Sequence, residues 1–136
     1  EALAVGWIDS VTRTLDEERR AQRFTPRKPG SGWAATNKAR IERLVAEGRM
    51  QPAGQAALDA AIADGSWTLY DDVEALVVPD DLAAALAAGD LAEAWNAWPP
   101  SVRKQALASL VTAKRPETRA RRVEAVVGHL EAGTRP

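Results

Sequence analysis

The chain contains no cysteine. That excludes disulfides, thiol catalysis and thiolate metal sites, and it leaves the protein indifferent to the redox state of its compartment. Histidine occurs once, as His129, and the carboxylates are scattered, so no metal and no cofactor are expected. A Ser-His-Asp arrangement would have to use His129, close to the C-terminal end, and no nucleophile-elbow pattern accompanies it. No apolar run approaches the ~18–20 residues of a membrane span; the longest weakly polar stretch, Leu82 to Ala88, is short and alanine-rich. Residues 1–6 lack a basic start and an A-x-A cleavage site, so no signal peptide is expected, while Glu1 in place of Met leads us to expect a trimmed chain. P-loop, GxGxxG, HExxH, EF-hand and paired-carboxylate patterns are absent, and Gly30-Ser31-Gly32 is a lone glycine pair that carries no motif.

What is present suits one soluble globular domain: 136 residues, 46% apolar and 27% charged, enough to bury a real core. We expect a single domain over 1–136. Residues 1–33 would form a helix end, a hairpin and a loop, 34–78 a helical pair and an irregular acidic segment, and 79–136 a C-terminal helical module. The net charge of −1 conceals segregation. Residues 10–50 and 101–136 each carry a balance of +5, whereas residues 51–100 hold nine acids and no Lys or Arg. Either the acidic middle folds against the basic ends through weak, screened attractions, or both ends form a basic face for an anion or nucleic acid.

The fold class read from the pattern is mainly α with a β-hairpin near the N-terminus (α+β), with six or seven short helices. Glu1 to Val5 reads as the last turn of a helix closed by Gly6; such a short remnant predicts that something precedes it. Trp7 to about Thr25 reads as a hairpin turning at Asp16-Glu17-Glu18, which must pack on helices because a lone hairpin is marginal in water. Pro26, Pro29, Gly30 and Gly32 then make a loop. Thr36 or Asn37 caps a helix through Glu47, with Ile41, Leu44 and Val45 inward. Pro52 opens a helix repeating Ala57, Leu58, Ala61 and Ile62. Ser66 to Val78 reads as irregular. Helices then start at Pro79-Asp80-Asp81, at Asp90, at Ser101 and at Pro116, the last with Val123, Val126, Val127 and Leu130 on one stripe.

Five tryptophans stand against one Phe and one Tyr. Trp7, Trp33 and Trp67 sit beside glycines at element edges, as clamps do when an indole N–H finds a carbonyl; Trp95 and Trp98, at i and i+3, read as core. The main candidate ligand-binding set is Trp7, Asp9, Arg23, Arg27, Trp33, Asn37 and Lys38. Pairing of the two strands would bring Asp9 near Arg23 or Arg27 as an ion pair. The same group supplies guanidinium forks, an amide and a helix start for an anion. A second candidate anion- or partner-binding set is Lys114, Arg115, Arg119 and Arg122. Arginines at a helix start meet an unfavourable dipole, so they need a partner, either an external phosphate or the internal acids Asp80, Asp81 or Asp90.

Several blocks occur in order: Gly6-Trp7-Ile8-Asp9, Gln22-Arg23-Phe24-Thr25-Pro26-Arg27, Trp33, Glu47-Gly48-Arg49-Met50 and Ala113-Lys114-Arg115-Pro116-Glu117-Thr118-Arg119. Together they resemble the YdeI/OmpD-associated, bacteriocin-protection family, with Val78 to Arg122 similar to its C-terminal helical module. Family members usually carry a further N-terminal segment and commonly have Cys before the Gly-Trp-Ile-Asp block, where this chain has Ala4-Val5. The resemblance implies a bacterial protein linked by name to bacteriocin tolerance and envelope stress, and brings no catalytic residues with it.

The expected function is therefore non-enzymatic: a binding or stress-tolerance protein using the basic hairpin–loop surface for a protein partner or a small anionic ligand. A nucleic-acid-binding module using both basic ends is the alternative. An enzyme acting on a small anion, with Asp9 as base, is the third reading. The expected location is cytoplasmic, with the periplasm kept open, and the oligomeric state is not readable from the sequence.

Overall fold

The computed structural model describes residues 1–136, with the side chain of Ser10 outside the described set. The chain divides into two compact units, Glu1–Leu69 and Tyr70–Pro136. The architecture is α+β: one two-stranded antiparallel sheet and seven α-helices among the described residues.

In the first unit a single 3-10 turn, Ala2–Val5, is closed by Gly6 at φ 76°. It leads into strand β1 (Trp7–Thr14), which pairs with β2 (Arg20–Pro26). The turn between them is held by Asp16, whose carboxylate accepts from the amides of Glu18 (3.2 Å) and Arg19 (2.8 Å) and from Arg19 Nε (2.7 Å). The register runs Trp7↔Pro26, Ile8↔Thr25, Asp9↔Phe24, then shifts at a bulge and resumes at Thr12↔Gln22. Helices α1 (Ala35–Ala46) and α2 (Pro52–Ala63) follow.

The core of this unit is Leu3, Ala4, Trp33, Ile41, Leu44, Leu58 and Ala61. No strand residue belongs to it, which corrects the expectation that the hairpin packs on the helices. Arg27 N–H donates to Gly6 O at 3.0 Å and extends the ladder beyond Trp7↔Pro26. Val45 (49% exposed) and Ile62 (58%) also face outward, because each helix buries a narrower stripe than its apolar count suggests. Helix α1 begins at Ala35 with Ala34 as its N-cap and no side-chain cap, two residues before Thr36 and three before Asn37, the expected caps. At its other end Gly48 adopts φ 66°, and the Arg49 and Gly48 amides donate to Leu44 O (2.9 Å) and Val45 O (3.0 Å). That is a Schellman closure, which glycine permits without a Cβ clash.

The second unit holds α3 (Asp71–Glu74), α4 (Asp80–Ala88), α5 (Ala92–Ala97), α6 (Pro100–Val111) and α7 (Pro116–Glu131). Proline stands at the first position of α6 and α7, where its missing N–H costs nothing. Asp80 and Asp81 occupy the first turn of α4, where negative charge suits the dipole. The core gathers Leu82, Leu86, Trp95, Trp98, Leu107, Leu110, Val123, Val126 and Leu130. Trp95 and Trp98 tilt against each other at 5.6 Å, as their i, i+3 spacing predicts. Burial of each fully enclosed leucine (Leu82, Leu107, Leu110) stabilises by about 1.5–3 kcal/mol before entropy is counted. Short α3 lies inside the stretch read as irregular. No helix among the described residues is long and apolar enough to cross a membrane.

Candidate functional site

Strand alternation decides which hairpin side chains meet. Trp7, Asp9, Gln22, Phe24 and Pro26 share one face, because directly opposed residues point the same way and the period is two. Arg23, between Gln22 and Phe24, falls on the other face. The first face looks onto the side of α1 that carries Arg40 and Arg43, at i and i+3. Arg49 joins them because the closure at Gly48 turns the chain back over the helix end.

The result is an open cleft of about 270 Å³, lined by Trp7, Asp9, Gln22 and Phe24 from the hairpin, Arg40, Arg43 and Leu44 from α1, Arg49, and Glu1, Ala2 and Leu3 from the 3-10 turn. Its two aromatic rings are not core: Trp7 is 42% exposed and Phe24 46%. Its arginines are aimed from behind. Glu47 Oε2 holds Arg49 Nη1 at 3.0 Å, and Glu47 Oε1 stands 4.0 Å from Arg43 Nε; Arg40 Nη1 donates to Asn37 Oδ1 at 3.5 Å. These contacts are solvent-exposed, and an ion pair of this kind is worth roughly 0.2–1 kcal/mol; the single Glu47 carboxylate offsets one of the three positive charges. On the hairpin side Gln22 Nε2 donates to Asp9 Oδ2 at 2.8 Å. A carboxylate only accepts, so this bond also orients the amide, leaving Gln22 Oε1 facing away from it as an acceptor.

The first sequence-derived set therefore separates. Trp7 and Asp9 line the cleft. Arg27 instead donates through Nη2 to the carbonyls of Ser31 (3.2 Å) and Gly32, and lies over the Trp33 ring at 3.8 Å. Trp33 is buried and tilted on Trp67 at 5.3 Å, while Lys38 Nζ sits over the Trp67 ring at 5.1 Å. This is a stacked clamp that fastens the 26–33 loop. Asp64 completes it by accepting from the amides of Gly30 (3.0 Å) and Ser66 (2.9 Å); the Ser66 hydroxyl and amide, with Gly30, hold its carboxyl below the usual carboxylate range. A shallow recess of about 60 Å³ beside it is lined by Arg27, Ser31, Trp33 and Asp64. The Trp33 indole N–H is buried without an acceptor among the described residues, contrary to the clamp expectation for that ring. Asn37 serves Arg40, as above. Sequence reasoning did not single out Arg40 or Arg43, and it quoted Arg49 only within the Glu47-Gly48-Arg49-Met50 block. Their signal was position: Arg40 and Arg43 each precede a buried residue, Ile41 and Leu44, and so flank the buried stripe.

The second set lies in the other unit. Arg119 donates Nε to Asp81 Oδ2 (2.5 Å), Nη2 to Asp81 Oδ1 (2.9 Å) and Nη1 to Leu110 O (3.2 Å). The Arg119 hydrogen bond keeps the Asp81 carboxyl below its usual range. Arg122 donates to Ser109 O and to Thr112 Oγ1 (3.1 Å). These two arginines thus satisfy the carbonyl end of α6, and of the internal acids anticipated Arg119 takes Asp81. Lys114 and Arg115 are exposed. The single histidine contacts Thr134 Oγ1 through Nδ1 at 3.0 Å.

Comparison with known proteins separates the chain in the same way. Residues 1–57 match a family described as a domain of unknown function (DUF8412). Residues 75–133 match the family described as bacteriocin-protection, YdeI or OmpD-associated. The N-terminal blocks on which the sequence resemblance also drew, from Gly6-Trp7-Ile8-Asp9 to Glu47-Gly48-Arg49-Met50, fall in the first match and not in the second. No curated protein and no solved structure matches the chain.

Proposed function

We propose that this chain, with its bacteriocin-protection-type module over residues 75–133, is a non-catalytic binding protein whose N-terminal unit takes an anionic ligand in the cleft between the hairpin and α1. The observation that carries the reading is the juxtaposition, around one opening, of two half-exposed aromatic rings and three arginines. Exposed aromatic surface beside guanidinium groups is suited to a ligand that has both charge and a flat apolar part. The C-terminal cations supply less, since Arg119 and Arg122 are engaged within their own unit; this weighs against the nucleic-acid reading that relied on them.

The test is a titration with inorganic pyrophosphate at low salt, followed by Trp fluorescence. Saturable quenching in the parent, lost in Arg40→Glu/Arg43→Glu with an unchanged melting temperature, is expected. A parent that shows no saturable response, or a double reversal that binds equally well, refutes the anion reading of the cleft.

A further inference from the structure

We infer that the ligand of the hairpin–α1 cleft is a nucleoside monophosphate carrying an amino-bearing base; this rests on the anion reading above and goes beyond it by naming the ligand class. Three features of the cleft correspond to the three parts of such a molecule. The phosphate has Arg40, Arg43 and Arg49, planar forks that match phosphate oxygens better than a point charge does. The base has the rings of Trp7 and Phe24. They belong to adjacent cross-strand pairs on one face and stay 42% and 46% exposed, so a heteroaromatic ring can stack on them without displacing core. Stacking of this kind contributes about 1–3 kcal/mol per base.

The third feature is the edge reader. The Asp9–Gln22 hydrogen bond of 2.8 Å uses the amide's donor on the carboxylate. What the pair then offers outward is acceptor capacity: Gln22 Oε1 and the remaining lone pairs of Asp9. Acceptors recognise the exocyclic amines of adenine, cytosine and guanine; uracil has none, and its single ring N–H lies between two carbonyls that repel neighbouring acceptors. The opening of about 270 Å³ lies just under the ~300–1,000 Å³ of small-molecule sites, which fits a mononucleotide held partly in solvent and not a polymer threaded through it.

Calorimetric titration of the full chain with AMP, GMP, CMP, UMP and pyrophosphate tests the inference. At least one of AMP, GMP and CMP is expected to bind tenfold or more tightly than both UMP and pyrophosphate. Trp7→Ala and Phe24→Ala should each weaken that nucleotide roughly 5- to 150-fold, the range that ~1–3 kcal/mol of stacking converts to, and weaken pyrophosphate, which has no base to stack, by less. Asp9→Asn should narrow the gap to UMP. Circular dichroism of each variant establishes that it is folded; should Trp7→Ala unfold, Trp7→Leu, which keeps apolar bulk without a π face, replaces it. Pyrophosphate binding with no nucleotide bound more tightly, or nucleotide affinity insensitive to both ring substitutions, overturns the inference and leaves the anion reading standing. UMP bound as tightly as the other nucleotides removes the amino-base specificity and overturns the inference as stated. Failure of pyrophosphate and all four nucleotides to bind removes both readings.

Discussion

Replacing Gly54 by alanine is expected to destabilise the N-terminal unit, although alanine is the better helix former. Gly54 is buried in the first turn of α2. A Cβ built there would lie 2.1 Å from Ala4 O, 2.6 Å from Ala4 C and 2.8 Å from Met50 Sδ. Two of these three neighbours are backbone, which cannot rotate aside. To regain ordinary contact the 3-10 turn and α2 must part by at least about 1 Å. That strains the bond from Gln51 N–H to Ala4 O, now 3.0 Å, and loosens Leu3 and Ala4 from the core. The helix-propensity gain is at most ~1 kcal/mol. The overpacking cost is about 1–3 kcal/mol, and the weakened hydrogen bond adds about 1. The net loss is thus about 1–3 kcal/mol. For a unit in the ~60–100-residue range each kcal/mol lowers the melting temperature by about 4–8 °C. Hydrogen exchange under mild urea is the assay, because it reads each unit separately: amides of α1 and α2 should lose protection while those of α6 and α7 keep theirs. A Gly54→Ala protein with equal or greater protection in α1 and α2 would refute the close approach from which the figure was worked.

Two further outcomes are expected. Asp81→Asn should lower the stability of the C-terminal unit by about 1 kcal/mol at neutral pH, a figure held down by solvent screening of a half-exposed pair. Because the Asp81 carboxyl titrates below its unfolded value, its contribution is present above the ordinary carboxylate pKa and is lost as pH falls through the depressed one. Urea midpoints measured across acid pH should therefore converge for parent and variant, and a constant gap would contradict the linkage. Arg27→Ala should cost about 2 kcal/mol through lost carbonyl contacts and the cation–π stack on Trp33, seen as a lower melting temperature; a neutral result would assign Arg27 to a role other than fastening the loop.

The elements that could be read in advance are those with punctuation. Gly6, Pro52 and Pro116 end or open what they were expected to, because their backbone restrictions act locally and need no tertiary context. Trp95 and Trp98 were legible as core from spacing alone. The candidate site was harder, for two physical reasons. The bulge between Asp9 and Thr12 sets the pairing around Arg23, and no residue there announces it. Whether Arg23 or Gln22 shares a face with Asp9 is a question of parity, which a single extra residue inverts. Arginines on α1 are equally at home in water or at a cleft wall, so composition does not separate Arg40 and Arg43 from an ordinary solvated surface. Short α3 escaped because four residues make less than a period of anything. Arg27 and Lys38, grouped in the sequence as candidate ligand contacts, lie over the Trp33 and Trp67 rings, contacts that no spacing in the sequence announces.

The contact of Arg119 with Asp81 and with Leu110 O also has a sense of direction. The carboxylate stands in the first turn of α4, where it faces the positive end of one dipole, and the guanidinium reaches the last turn of α6, the negative end of another. Exchanging the two residues would preserve the ion pair on paper, yet it would set a cation against exposed N–H groups and an anion against exposed carbonyls, and leave Leu110 O without its donor. Two helix ends are thus keyed by one polarity. Any lineage that altered it would have to change both side chains and the terminus of α6 together, so this joint should drift more slowly than the exposed cations Lys114 and Arg115 beside it.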